Sequence, residues 1–95
     1  MAGRDVRGRR VPQIPREGER IPLLIDTDAA NEVDDQYAIA LAIHAPERFD
    51  IQGFVATHFA DRADSTRQSA EEIGRVLELS GMGDRWPVAL GGDPL

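Results

Sequence analysis

Residues 23–35, "LLIDTDAANEVDD", place Asp26, Asp28, Asp34 and Asp35 together with Glu32 inside ten positions, directly after an apolar run. Two unit charges 4 Å apart repel by about 1 kcal/mol in water and roughly 4 kcal/mol at an effective dielectric of 20, so such a cluster needs compensation. No arginine lies between Arg20 and Arg48. Helix N-terminal amides supply part of the compensation, and a bound cation supplies more. Hard carboxylate oxygens in a chain without cysteine favour Ca2+ or Mg2+ over zinc. A blander reading stays open beside that one. Asn31 caps a helix, Asp34 follows three residues on, and the helix dipole favours the adjacent carboxylates. Capping explains one or two of the acids and leaves the others as solvated charge.

Positioning these side chains takes a strand end and a helix start. The segment "IPLLIDTD" reads as a strand covered on both faces, because a short continuous apolar run bounded by a turn signal fits a buried parallel sheet. "VDDQYAIALAIHA" reads as a helix whose apolar stripe is Val33, Tyr37, Leu41 and His44 or Ala45, with Pro46 ending it. His44 then packs on the apolar side. "FDIQGFVAT" is a second strand. "STRQSAEEIGRVLELSG" is a second helix, with Ser65 and Gln68 at capping-box spacing, Ile73, Val76 and Leu77 as its stripe, and Gly81 as its stop. "WPVALGG" is a third strand, and Phe54 and Trp86 are core or strand-flanking residues.

The order βαβαβ predicts an α/β fold with a Rossmann-like parallel sheet. Right-handed crossovers bring the C-terminal ends of the strands to one edge, where ligands bind in such folds. Three loops should meet there: 26–35, "THFADRAD" and "GGDPL". Strand residues two apart share a face, which suits Asp26 and Asp28. Asp34 and Asp35 diverge by about 100° at a helix start, so one can face a metal while the other faces a ligand.

Composition narrows the partners. Ninety-five residues with 41% hydrophobic content suffice for one small domain. A net charge of -6 and a pI near 4.7 argue against nucleic acid or an anionic membrane, and a cation or neutral small molecule fits better. Residues 1–20 carry six arginines, two prolines and three glycines and are expected to be a disordered tail. Residues 21–95, the expected domain, hold five arginines against fourteen acids, a net of -9. No apolar run reaches the roughly 18 residues of a membrane span, and the N-terminus lacks a signal peptide's apolar region, so a cytoplasmic protein is expected.

Familiar motifs can be tested against the acidic stretch. An EF-hand loop starting at Asp26 would want Asp or Asn, Gly and Glu where Ala30, Asn31 and Tyr37 stand. Phosphate-binding glycine loops fail, since no glycine occurs between Gly18 and Gly53. "LLIDTD" resembles the opening of a haloacid dehalogenase-type phosphatase, which wants Thr or Val where Ala30 stands and has no use for the later Asp pair. That family is a third reading.

The order "IPLLIDTD", "VDD", "QYAIALAIHA" resembles the N-terminal portion of the nucleoside hydrolase family, inosine-uridine preferring type. There an apolar strand, a D-x-D pair, a loop, a D-D pair and an alanine-rich helix follow one another. "IQGFVATHFADRAD" is similar to that family's second strand and ligand loop, and "WPVALGGDPL" to its third strand and turn. The resemblance implies a nucleoside hydrolase fold, Ca2+ as cofactor and a ribonucleoside as substrate. It implies Asp28 as calcium ligand and general base, Asp35 as calcium ligand, Asp34 as the group binding the ribose hydroxyls, and Asp26 in support, with Asn31 between them. In the second loop Asp61 stands where the family often has asparagine, and His58 beside it either contacts ligand or is structural. The products would be ribose and a free base. "AANEV" is a longer spacer than the family's commonest one.

Family members run to roughly three times this length and imply a later Asp ligand and a later histidine. The chain is therefore expected to be an N-terminal portion, inactive alone, of a form that is homo-oligomeric at full length. The alternative from another class is a non-catalytic remnant, a ribose- or cation-binding module.

Overall fold

A computed structural model describes residues 3–94; Met1 and Ala2 of the tail and Leu95 of the last loop lie outside them. The elements follow the expected order: β1 (Ile21–Thr27), α1 (Val33–Ile43), β2 (Phe49–Ala56), α2 (Ser65–Leu79) and β3 (Val88–Leu90). The three strands form one parallel sheet in the order β1-β2-β3, so the architecture is α/β with an open sheet and two helices. The ladder between β1 and β2 runs from Ile21 opposite Phe49 to Thr27 opposite Ala56, and skips Gln52 as a bulge. Gly53 sits beside that bulge against Pro87, whose carbonyl accepts from the Phe54 amide at 2.9 Å. β3 pairs only with the last three residues of β2.

Both helices lie on the same side of the sheet. α1 packs on α2 and β2, while α2 packs on β2 and β3. The core between these layers is Ile39, Ala42 and Ile43 from α1, Ile51, Phe54 and Ala56 from β2, Ile73 and Leu77 from α2, and Ala29 from the first loop. Trp86 flanks it with its ring edge-on to Phe54, centroids 6.0 Å apart.

This one-sided arrangement overturns the expectation that β1 is covered on both faces. Its burial alternates, and Leu24 (66% exposed) and Asp26 lie on the bare side. A sheet that steps twice in one direction through crossovers of one hand places both helices on one face.

The stripe read for α1 is corrected too. Val33, Tyr37 and Leu41 are exposed, as is His44, and the opposite face carries the core. Both faces of this helix are apolar, so periodicity alone could not decide which one turns inward.

α2 ends as expected. Gly81 takes a φ of 74°, its amide donates to the Glu78 carbonyl, and the Met82 amide donates to Leu77, a Schellman stop that needs the left-handed conformation. Its start differs from the capping-box reading. The cap position is Asp64, and Ser65 is buried, its hydroxyl bonding the Arg62 carbonyl and the Phe59 amide.

In residues 3–20 an isolated antiparallel bridge joins Arg4 and Arg10, with Asp5 paired to Arg9 at 2.7 Å. Arg20 donates to the carbonyls of Pro46 and Phe49, and Arg48 donates to that of Pro15, which ties this segment to the start of the sheet. Among the described residues no helix is long and apolar enough to cross a membrane.

Candidate functional site

β1 delivers its last residue, Thr27, buried against the β2 end, and the Thr27 carbonyl accepts from the Thr57 amide at 3.0 Å. The chain then turns. The Asn31 amide donates to the Asp28 carbonyl at 2.9 Å, and the Asn31 side-chain amide reaches Asp28 Oδ2 at 3.3 Å. Asn31 therefore serves the turn; the helix cap falls at Glu32, whose extended backbone (φ -136°) precedes α1 without a side-chain cap bond. This corrects the expectation that Asn31 caps α1.

The first turn of α1 carries Asp34 and Asp35. Asp35 faces back toward the strand end, where its Oδ2 accepts from Thr27 Oγ1 at 2.5 Å. Asp34 stands exposed on the other side of the turn, as about 100° per residue requires.

Asp28 and Asp35 meet. Burial pushes the Asp28 carboxyl above its ordinary value, and a hydrogen bond to Asp35 and repulsion from its charge push the same way, while the Asn31 amide opposes them. Two carboxyl groups bond to each other only while one keeps its proton. A divalent cation would replace that proton and remove the repulsion, and two carboxylates without sulfur are the donor chemistry that a hard cation takes. The number is small, since among the described residues no group of three or more His, Asp or Glu side chains converges.

The second and third loops form a neighbouring cluster. Gly91 donates to the Ala56 carbonyl at 2.8 Å, and the Gly92 carbonyl lies 3.2 Å from His58 Nδ1 and accepts from Thr66 Oγ1 at 3.1 Å. Asp61 is exposed and lines a hollow of about 300 Å³ with Ala63, Asp93 and Pro94. Neither Asp28 nor Asp35 lines that hollow. A larger one, about 620 Å³, lies between the second half of α2 and the segment before β3, away from all the acids of the first loop.

The strand ends thus bring Asp28, Asp35 and Asn31 into one group. His58 and Asp61 both belong to the second loop, and Asp26 is exposed at the end of β1. Sequence reasoning missed Thr27, although a hydroxyl between two aspartates at a strand end is a readable signal. It also missed Thr66 and the Gly92 carbonyl, whose meeting depends on loop closure and leaves no local trace.

No family model matches this chain, and neither does any curated protein or solved structure.

Proposed function

We propose that this chain carries the metal-and-ribose portion of a calcium-dependent nucleoside hydrolase site within a nucleoside hydrolase fold, acting on the N-glycosidic bond of a ribonucleoside. The observation that carries the reading is the Asp28–Asp35 pair, drawn from a strand end and a helix start and buttressed by Thr27 and Asn31. The order of its motifs, which resembles that family, supplies the reaction.

In this reading Asp28 and Asp35 hold the cation, while Asp26 lies on the bare side of the sheet, outside that pair. Calcium, when bound, would orient water and the sugar diol and offset negative charge. Asp28, whose carboxyl burial pushes above its ordinary value, takes the proton of the attacking water. Asp34, on the solvent side of the turn, accepts hydrogen bonds from the ribose hydroxyls, with His58 and Asp61 as further substrate contacts from the neighbouring loop. Remaining carboxylate charge stabilises an oxocarbenium-like sugar as the base leaves, giving ribose and free base.

A second reading, cation or ribose binding without turnover, is favoured by the two-carboxylate count. Calorimetric titration with CaCl2 tests the metal in both. The expected Kd is about 10⁻⁴–10⁻³ M, the range of sites with few ligands. Asp28→Ala and Asp35→Ala should each abolish the heat. Parent protein that binds no calcium, or variants that bind as the parent does, would sink the assignment. Release of ribose from inosine or uridine by a form that also supplies the later Asp ligand and histidine the resemblance implies then separates the two readings.

A further inference from the structure

The charge of this chain is divided between two unlike parts. Residues 3–11, "GRDVRGRRV", hold Arg4, Arg7, Arg9 and Arg10 against Asp5, a net of +3, while residues 12–20 hold two arginines against two glutamates. Residues 21–95 carry -9. The basic excess therefore sits in nine residues, and these form a hairpin. The Asp5 amide donates to the Arg9 carbonyl at 2.9 Å, the Gly8 amide to the Asp5 carbonyl at 3.0 Å and the Val11 amide to the Gly3 carbonyl at 2.8 Å. Gly8, at a φ of 78°, closes a turn whose central residues are Val6 and Arg7.

Asp5 commits its carboxylate to that turn. Its Oδ1 accepts from the Arg7 and Arg9 amides, and its Oδ2 from Arg9 Nε at 2.7 Å. Arg4 donates to the Gly8 carbonyl. Among the described residues no acid pairs with Arg4, Arg7 or Arg10, and all three are exposed.

We propose that this hairpin docks on an anionic lipid bilayer, with Val6 seated among the headgroups and Arg4, Arg7 and Arg10 against their negative charge. Charge alone would suit a nucleic acid as well, and the apolar residues decide between them. Val6 is fully exposed at the tip of the turn, and Ile14 is 84% exposed on the same segment. A turn with an apolar tip among arginines gains from a membrane interface. Single-stranded nucleic acid wants aromatic rings to stack on, and no aromatic residue precedes Tyr37. The acidic body does not cancel the hairpin's charge. Arg48 anchors the Pro15 carbonyl at 3.2 Å, and the four residues from Val11 to Pro15 can extend about 13 Å. Charges in physiological salt fade over about 8 Å. The contact needs neither metal nor nucleoside, so it stands or falls apart from the hydrolase reading.

Flotation of the full chain with unilamellar vesicles reads the contact directly. Vesicles of phosphatidylcholine with about one-third phosphatidylserine should carry the protein upward, with half-saturation near 10⁻³ M accessible lipid, about what three such charges and a shallow valine supply. Pure phosphatidylcholine should not, and about 0.5 M NaCl should release the protein. Arg7→Ser combined with Arg10→Ser should weaken binding at least about tenfold, and Val6→Ser severalfold. Arg62→Ser removes an exposed arginine of the second loop and should leave it unchanged. Circular dichroism of each variant checks that the fold is intact. A parent that stays with neither kind of vesicle overturns the proposal, as does binding that Val6→Ser leaves unchanged. Tighter binding to a single-stranded oligonucleotide than to the phosphatidylserine vesicles, lost with the same two arginines, would also overturn it and assign the hairpin to nucleic acid.

Discussion

Asp28 is held close to a second carboxyl by a backbone turn, so its protonation is linked to folding. Its pKa is raised in the folded state, chiefly by burial and then by Asp35. A raised value means that the folded state holds the proton more tightly than the unfolded one. Stability from this group is present below the ordinary carboxylate range and is lost as pH rises through the raised value. Asp28→Asn should therefore stabilise the metal-free protein at pH 7 by up to about 1 kcal/mol and change little in strong acid. Urea unfolding at the two pH values measures this, and a destabilised variant at neutral pH would contradict it. Thr27→Val tests the neighbouring contact. It keeps the buried shape but removes the hydroxyl that Asp35 accepts from, and should cost about 1 kcal/mol in chemical denaturation. Thr27→Ser should retain most of that energy. The residue types of this group were legible because acids at the end of an apolar run violate ordinary burial. Which acids pair was not, since Asp28 and Asp35 meet through a turn that Asn31 closes across four residues of irregular chain.

The two helices differ in how much of their packing could be read from their spacing. α2 has one apolar stripe, and Ile73 and Leu77 from it are buried as expected. α1 has two, and the choice between them is made by α2 and β2, which meet only the Ile39 side. The helices are joined by Glu72, which accepts from Arg75 on its own helix and from Gln36 of α1. The hydrogen bond from Arg75 lowers the Glu72 pKa, against a burial effect that raises it, with the Arg75 charge and Gln36 adding to the lowering. A lowered value gives stability that is present above the ordinary glutamate range and lost as pH falls through the lowered value. Glu72→Gln should thus cost about 0.5 kcal/mol at pH 7, discounted because Arg75 is 58% exposed, and flatten the acid limb of the stability profile. Thermal unfolding between neutral pH and strong acid reads both. At the end of β3, a Cβ on Gly91 would stand 2.8 Å from the Ala56 carbonyl oxygen. Gly91→Ala should cost about 1–3 kcal/mol and loosen the His58 and Thr66 contacts to Gly92, seen as shifted NMR resonances in the second loop. Element order was legible because Gly, Pro and the switch of period mark each boundary. The capping details were not, because Ser65 is claimed by the preceding loop.

At the scale of the molecule, sequence order implied a parallel sheet but could not say that both helices share a face. That follows from strand order, which no single segment encodes. The same strand order leaves β2 as the one strand paired on both sides, with β1 and β3 at the edges. In a parallel sheet, successive amides of a strand point alternately to its two neighbours. Every second amide of β1 and of β3 is thus turned away from the ladder, whereas those of β2 point to a partner strand wherever the ladders reach. Deuterium uptake should therefore show a two-residue rhythm of fast and slow sites along β1, and uninterrupted protection only from Phe54 to Ala56, where β2 has a strand on either side.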